Sequence, residues 1–258
     1  SAMEQSAYPY WDKYVRDDGE LIWDDAWGGG SPDDFYEAFF NWPLLYVLGA
    51  GEDLLDRAHL GWEGVTRILT RTGNVHKEYA VDEDQFHQAE SDIFFYHLSL
   101  ADPSNAVTAM RARRFAGLYM NEDPEAINYD PVHKIILSPR TGSRGPHYHD
   151  ENVKPGPSRA SERYGLPAYD VPGITSWKDT EDDEKAQRLG EVMYKRWAKG
   201  DVAANLAVTT LVTNTFLLTG EEKYRDWVLE YTDAWMDRAR KNDWLLPDNV
   251  GHSGEVGE

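Results

Sequence analysis

The residues best suited to chemistry lie in one short run, SRGPHYHD at positions 143–150, which places Arg144, His147, Tyr148, His149 and Asp150 close together. Arginine can bind a carboxylate through two parallel hydrogen bonds, and histidine and tyrosine can transfer protons as general base and acid. The two histidines also have metal-ligand chemistry, but a spacing of two without a further ligand pattern is a weak signal, and we predict no metal site. The alternative is a packed loop whose polar groups satisfy its own backbone.

A second group of reactive side chains lies in VDEDQFHQAESD, residues 81–92. His87, Glu90 and Ser91 are spaced by three and four, which puts them on one face of a helix. A titratable imidazole would then lie beside a carboxylate near the start of that helix. We predict a proton-transfer or substrate-binding His87 oriented by Glu90; the alternative is an ordinary pair at a helix start on the surface.

Pro43 and Asn205 mark two other positions of interest in the predicted helices. Asn41 and Trp42 precede Pro43, which predicts a kink or break in a helical pattern at that point. Asn205 lies near the N-terminal end of another predicted helix, where its amide suits a carbonyl or carboxylate group. The alternative for Asn205 is a buried hydrogen-bonding residue between helices.

The elements that must position these groups are helical hairpins. Residues 201–242 begin with a largely apolar run, turn at Gly220, and restart with Tyr224, Trp227, Tyr231 and Trp235 spaced by three and four. This pattern predicts an antiparallel αα-hairpin with a buried inner helix and an amphipathic outer helix. It recurs at 34–71 and at 86–120, where Ser104 is the predicted cap of the second helix. The first two turns lie roughly 50 residues apart, which is typical of stacked helical repeats.

Two segments fall outside the hairpins. Residues 1–30 are predicted to be an irregular aromatic segment, in which Trp11, Trp23 and Trp27 either cap the first hairpin or line a cleft. Residues 31–258 are predicted to form the α/α-hairpin domain, with a long irregular insertion at about 120–190 and a helix at about 182–199. The chain ends in a glycine-rich stretch without a stop signal. A missing C-terminal portion or an oligomeric partner is therefore expected to cover the open end.

Composition excludes some classes of function. The chain carries 46 acidic and 26 basic residues, a net charge of −20, which disfavours nucleic-acid binding. No apolar run approaches about 18 residues, so we predict no membrane span. Cysteine is absent, which excludes disulfides and thiolate chemistry. Ser1-Ala2-Met3 is typical of a remnant left by cloning, so a signal peptide can have been removed, and we expect a periplasmic or secreted protein.

The tandem hairpins, the segment LTGEEKYRDWVLEYTDAW and the SRGP loop resemble the α/α-toroid superfamily of carbohydrate-active enzymes, which includes six-hairpin glycosidases and polysaccharide lyases. The resemblance implies an all-α fold of tandem αα-hairpins that form an (α/α)-toroid or part of one. It also implies a poly- or oligosaccharide substrate, no cofactor, and a cleft at the N-terminal ends of the inner helices. The expected substrate-binding residues are Asn41, Trp42, Glu90, Arg144, His149 and Asn205. Three hairpins and one extra helix do not close a full ring.

Within that superfamily, the sequence favours a lyase that cleaves a uronic-acid polysaccharide by β-elimination. Arg144 and Asn205 would neutralise the uronate carboxylate, His87 or His147 would abstract the C5 proton, and Tyr148 would protonate the leaving oxygen.

Two alternatives remain open. One is a glycoside hydrolase that uses two carboxylates flanking the scissile bond, with Asp24, Asp25, Glu37 and Glu90 as candidates. The other is a non-catalytic helical-repeat module that binds a glycan or a protein partner through its concave face.

Overall fold

The computed structural model describes residues 2–22, 31–148, 152–158, 163 and 165–257. Helices predominate over strands in these residues, in agreement with the predicted all-α class. Within the described ranges, no helix combines the length and the apolar composition needed to cross a bilayer.

Three helical hairpins form the body of the domain. The first comprises α2 (Pro32–Glu37), α3 (Trp42–Val47) and α4 (Asp53–Thr72), the second α5 (Gln85–Ala101) and α6 (Ala106–Tyr119), and the third α8 (Val208–Thr219) and α9 (Glu222–Lys241). The predicted break before Pro43 is confirmed, because α2 and α3 are separate helices. Gly220 ends α8 in the left-handed conformation, with φ of +67°, as the predicted turn requires.

Shorter elements join and flank the hairpins. A helix α1 (Ala2–Tyr14) precedes them, and α7 (Asp183–Met193) lies between a 3₁₀ turn (Trp177–Glu181) and a π turn (Tyr194–Ala198). A second 3₁₀ turn, Ala203–Ala207, leads into α8. In the described residues, four pairs of short antiparallel strands, each strand two residues long, connect the loops. The pairs are β1 (Val75–His76) with β2 (Tyr79–Ala80), β3 (Glu83–Asp84) with β6 (Arg140–Thr141), β4 (Tyr129–Asp130) with β5 (Ile135–Ile136), and β7 (Asp201–Val202) with β8 (Asn249–Val250).

Helix α5 occupies the centre of the packing. It contacts α2, α3, α4, α6 and α8, while α8 also packs against α6 and α9. Phe94 and Phe95 of α5 are almost completely buried in the main hydrophobic core, which draws on α1 to α6 and on α8 and α9. Helix α5 is therefore held by packing contacts on several sides.

The structure corrects the prediction for the N-terminal segment. Residues 2–14 form a helix rather than an irregular stretch, and Ala7 and Trp11 belong to the main core. Trp11 packs its ring 5.9 Å from Phe39 and 5.7 Å from Trp42, so its role is packing. Trp23 and Trp27, with Asp24 and Asp25, lie outside the described residues.

Two local predictions were also wrong. The cap of α6 is Asn105, whose side chain accepts hydrogen bonds from the amides of Val107 and Thr108; Ser104 lies one position too early. The α-helix of the third hairpin begins at Val208, because residues 201–207 form a strand and a 3₁₀ turn instead.

The described part of the insertion has a small core of its own. Leu166, Val171 and Ile174 pack against Leu189 of α7 in a cluster separate from the main core. Earlier in the insertion, the β4–β5 pair buries Ile135 and Ile136 in the main core. The predicted helix near 182–199 is confirmed for residues 183–193 and continues as a π turn.

Candidate functional site

The start of α5 carries the best-defined proton-transfer pair. Asp84 is the N-cap: its Oδ1 accepts hydrogen bonds from the amides of Phe86 and His87 at 3.1 and 3.2 Å. Its other oxygen lies 2.7 Å from Nδ1 of His87. Asp84 therefore orients the imidazole, and the prediction that Glu90 does so was wrong. The His87 ring remains 45% exposed, so a ligand can reach it.

The electrostatic environment of His87 is acidic. Burial lowers the pKa of the imidazole, but the hydrogen bond and charge of Asp84, with the charges of Asp33 and Glu83, outweigh it, and the net pKa is raised. The positive form of the ring is therefore favoured more than in an isolated histidine.

Helix α2 contributes two carboxylates that face this end of α5. Asp33, His87 and Glu90 each offer one possible ligand atom, and these atoms all lie within 4.8 Å of one another. Asp33 is only 6% exposed, and its Oδ1 has no hydrogen-bond partner among the described residues. Glu37 lies one helical turn after Asp33. Burial raises the pKa of Glu37, and the charges of Glu90, Asp33 and Asp34 add to that rise. We call Asp33, Glu37, His87 and Glu90 the α2–α5 cluster.

A second ionic group borders the cluster. Asp82 Oδ1 accepts a hydrogen bond from Nε of Arg140 at 2.8 Å, and its Oδ2 lies 3.1 Å from Nδ1 of His147. The β3–β6 pairing places Arg140 directly opposite Asp84. This pairing brings the Asp82–Arg140–His147 group next to the start of α5.

A polar pocket of about 310 Å³ lies beside the Asp82–Arg140–His147 group. Ser31, Asn74, Asp82, Glu83 and Arg140 line it, so it lies beside the starts of both α2 and α5. Its volume is within the range typical of small-ligand sites. A larger depression of about 540 Å³ lies elsewhere, on α6, between Met110, Arg113, Arg114 and the 122–124 loop. We take the smaller pocket as part of the candidate site, because Asp82 and Arg140 line it and because two further lining residues, Pro32 and Glu83, directly precede Asp33 and Asp84 in the chain.

Several predicted site residues lie elsewhere. Trp42 is 7% exposed and packs against Trp11 and Phe39, so it cannot stack on a sugar ring. Asn205 is fully buried, and its amide donates hydrogen bonds to the carbonyl of Ser138 and to Asp201 Oδ1. The prediction that Trp42 and Asn205 bind substrate is therefore wrong, and the alternative of a buried hydrogen-bonding residue holds for Asn205.

Three further predicted residues, all within the described ranges, are at the surface. Asn41 is exposed at the N-cap of α3, and Arg144 is exposed and does not line the pocket beside α5. Tyr148 is 36% exposed, with its ring 5.7 Å from that of His252. His149 and Asp150 lie outside the described residues.

A buried ion-pair network lies on α6, away from the α2–α5 cluster. Arg111 is buried there and forms ion pairs with Glu63 at 2.5 Å and Glu78 at 2.9 Å. Burial is tolerated because two carboxylates share the guanidinium charge.

Sequence reasoning missed Asp33, Asp82, Asp84 and Arg140 as members of the site. Asp84 had a usable signal, because an N-cap acid three residues before a histidine can bond both the helix amides and the ring. The same Asp-x-x-His arrangement recurs at Asp130 and His133, where the ring nitrogen lies 2.6 Å from the carboxylate. The other three residues reach the site only through tertiary packing.

A family model described as "Domain of unknown function (DUF8034)" matches residues 1–258, and the chain belongs to that family. No curated protein and no solved structure matches the chain. The function must therefore be inferred from the chemistry of the site itself.

Proposed function

We propose that this member of the DUF8034 family is a carbohydrate-active enzyme that hydrolyses glycosidic bonds, with Glu37 as the proton donor. The observation that carries the proposal is the α2–α5 cluster, in which Glu37 has a raised pKa and faces ionisable groups on the neighbouring helix. Glu37 is exposed, so a substrate can reach its carboxyl group.

Glycoside hydrolysis needs two carboxyl groups in different protonation states. One must hold a proton for the leaving oxygen, and the other must be ionised to stabilise positive charge on the sugar or to activate water. A raised pKa suits Glu37 for the first role. The neighbouring group of Asp33, His87 and Glu90 is suited to the second.

Electrostatics favour a neutral glycan over a uronate. Six carboxylates of the described residues lie at or next to the cluster: Asp33, Asp34, Glu37, Glu83, Asp84 and Glu90. Arg140, which lies opposite Asp84, already pairs with Asp82. Asn205 is buried, and Arg144 does not line the pocket, so neither is positioned to neutralise a uronate. A negatively charged sugar would be repelled, which lowers the preference for β-elimination.

The fold is consistent with this class of enzyme. We propose that the three hairpins form an arc of an (α/α)-toroid, with α2–α3, α5 and α8 as inner helices and α4, α6 and α9 as outer helices. The cluster then lies at the N-terminal ends of the first two inner helices, where the toroid enzymes keep their substrate cleft.

β-Elimination is the second candidate, and the Asp84–His87 pair favours it. An imidazole fixed at Nδ1 by a carboxylate and exposed on its other side is a suitable base for abstracting a proton from carbon. In that mechanism His87 takes the C5 proton, and the electron pair expels the leaving oxygen, which needs a proton donor.

The test is incubation with neutral and uronate-containing polysaccharides, with reducing ends and ultraviolet absorbance measured on the same samples. Hydrolysis gives new reducing ends without absorbance, whereas elimination gives an absorbing unsaturated product. We expect hydrolysis, and we expect Glu37→Gln to reduce its rate by about 10²- to 10⁴-fold because the proton donor is lost.

Glu184→Gln is the matched control, because Glu184 is an exposed glutamate in the first turn of α7, outside the cluster. The wild-type rate should fall as pH rises through the pKa of Glu37, since only the protonated carboxyl donates. Full activity in Glu37→Gln would refute the assignment of the proton donor. Binding without turnover on every glycan would favour the non-catalytic module instead.

A further inference from the structure

We propose that Asp33, His87 and Glu90 form a binding site for one divalent transition-metal ion, of which Zn²⁺ and Mn²⁺ are the best representatives. This inference goes beyond the proposed hydrolysis, because the site is defined by its ligands and can be tested without any substrate.

The three side chains already converge. Their ligand atoms lie within 4.8 Å of one another, although Asp33 comes from α2 and the other two come from α5. Ligand atoms about 2 Å from one ion lie at most about 4.4 Å apart, so small side-chain rotations would bring all three into coordination. His87 and Glu90 are three positions apart on one helix, which places both on the same face.

Asp33 provides an independent reason to expect a cation. Its side chain is buried, and Oδ1 has no hydrogen-bond partner among the described residues. A buried carboxylate oxygen without a partner is costly, and burial of charge is normally compensated by pairing or by a metal ion. The positively charged groups near the cluster do not supply a direct bond to this oxygen.

The Asp84–His87 pair matches the second shell of metal sites. A histidine that binds a metal through one ring nitrogen usually donates the other N–H to a carboxylate, which fixes the ring orientation. Here Asp84 Oδ2 lies 2.7 Å from Nδ1 of His87. Nε2 is then the ring atom left for the ion.

The ligand set indicates the class of ion. Imidazole is a ligand for Zn²⁺ and other first-row transition-metal ions. Carboxylates bind the same ions and are ligands that Mn²⁺ prefers. Ca²⁺ and Mg²⁺ prefer oxygen ligands alone, so the imidazole disfavours them. Three protein ligands leave at least one coordination position open, and the half-exposed His87 ring places that position within reach of solvent.

The direct test is isothermal titration of EDTA-treated, dialysed protein with Zn²⁺ and with Mn²⁺ in separate experiments, with Ca²⁺ and Mg²⁺ for comparison. We expect one Zn²⁺ or Mn²⁺ ion per chain and weaker binding of Ca²⁺ and Mg²⁺. Asp33→Asn and Glu90→Gln should each weaken the binding by at least about tenfold, because each removes a charged ligand. Electron paramagnetic resonance of bound Mn²⁺ reports the same loss.

The chain supplies a matched control. Asp130 and His133 repeat the Asp-x-x-His pairing of Asp84 and His87, but they are not part of the converging group. His133→Ala should leave the affinity and the stoichiometry unchanged. Circular dichroism checks the fold of each variant; Glu90 is less buried than Asp33, so Glu90→Gln remains informative if Asp33→Asn does not fold.

Three results would overturn the metal site. They are no saturable binding of either ion, binding that survives both ligand substitutions, and binding lost equally in His133→Ala. The two proposals fail separately. Glu37→Gln should reduce hydrolysis by about 10²- to 10⁴-fold while retaining the ion, whereas loss of ion binding in Asp33→Asn says nothing against Glu37 as the proton donor.

Discussion

The buried carboxyl group of Asp92 leads to a quantitative prediction about stability. Asp92 lies inside the domain on α5, where it accepts hydrogen bonds from Tyr79 at 3.3 Å and from Tyr96. Burial raises the pKa of Asp92 to about 7, although the two tyrosine hydrogen bonds act in the opposite direction. In the unfolded chain, an aspartate titrates near about 3.9.

The sign of the effect follows from these two values. Between about pH 4 and about pH 7 the folded protein holds a proton that the unfolded chain has lost, so unfolding releases a proton. The free energy of unfolding therefore falls as pH rises through this window, by up to about 1.4 kcal/mol per pH unit and about 4 kcal/mol in total. Below the window, the carboxyl is protonated in both states and contributes no pH dependence.

Asp92→Asn tests this directly, because it replaces the carboxyl with a neutral amide of similar size. We would measure urea unfolding of both proteins from about pH 4 to about pH 8. As pH rises across this range, the free energy of unfolding of Asp92→Asn should increase by about 4 kcal/mol relative to that of the wild-type protein. The buried Asp201, whose pKa burial raises to about 6, affects both proteins equally and cancels in the difference.

Asp130→Asn is the control for this series. Burial of Asp130 is outweighed by its hydrogen bonds with His133 and with two backbone amides, so its pKa is lowered and it stays ionised throughout the range. Its difference from wild type should not vary with pH. A pH-independent difference for Asp92→Asn would refute the reasoning, because it would mean that the buried carboxyl keeps an ordinary pKa.

Two further predictions use matched pairs and chemical denaturation. Gly64→Ala in α4 should destabilise the protein by about 3 kcal/mol, because the new Cβ would lie 2.0 Å from the backbone oxygen of Gly19. Gly117→Ala in α6 should change the free energy of unfolding by no more than about 1 kcal/mol, since only a flexible side chain lies near the new Cβ. Equal destabilisation by the two glycine substitutions would contradict the close approach of α4 to the backbone of Gly19. Asn105→Ala should lower the free energy of unfolding by about 1 kcal/mol through loss of the helix cap, whereas Ser104→Ala should be nearly neutral. A larger loss for Ser104→Ala than for Asn105→Ala would show that Ser104 is the cap.

Much of the local structure was predictable. The three hairpins follow from apolar periodicity and from breaks such as Gly220 and Pro43, which act through their own backbone preferences. Errors arose where competing local signals lay one position apart, as at Ser104 and Asn105, or where aromatic residues were interpreted as a loop, as in α1. There the burial of Trp11 against Phe39 stabilises a helix that composition did not indicate.

The candidate site was predicted only in part. His87 and Glu90 could be identified because both lie on one helix face, where spacing fixes their neighbourhood. Trp42 and Asn205 were predicted to bind substrate, but both are buried by contacts with residues distant in sequence. Periodicity gives the face of a helix, whereas exposure depends on what packs against that face.

The sequence by itself determined the all-α class, the positions of the hairpins and the presence of an imidazole at the start of α5. Only the tertiary structure decided which charges surround that imidazole. Packing of α2 on α5 brings Asp33 to His87 and Glu37 to Glu90, and pairing of β3 with β6 brings Arg140 opposite Asp84. Local conformation depends on neighbours along the chain, but the pKa of a side chain and its capacity to bind an ion depend on charges within a few ångströms in space.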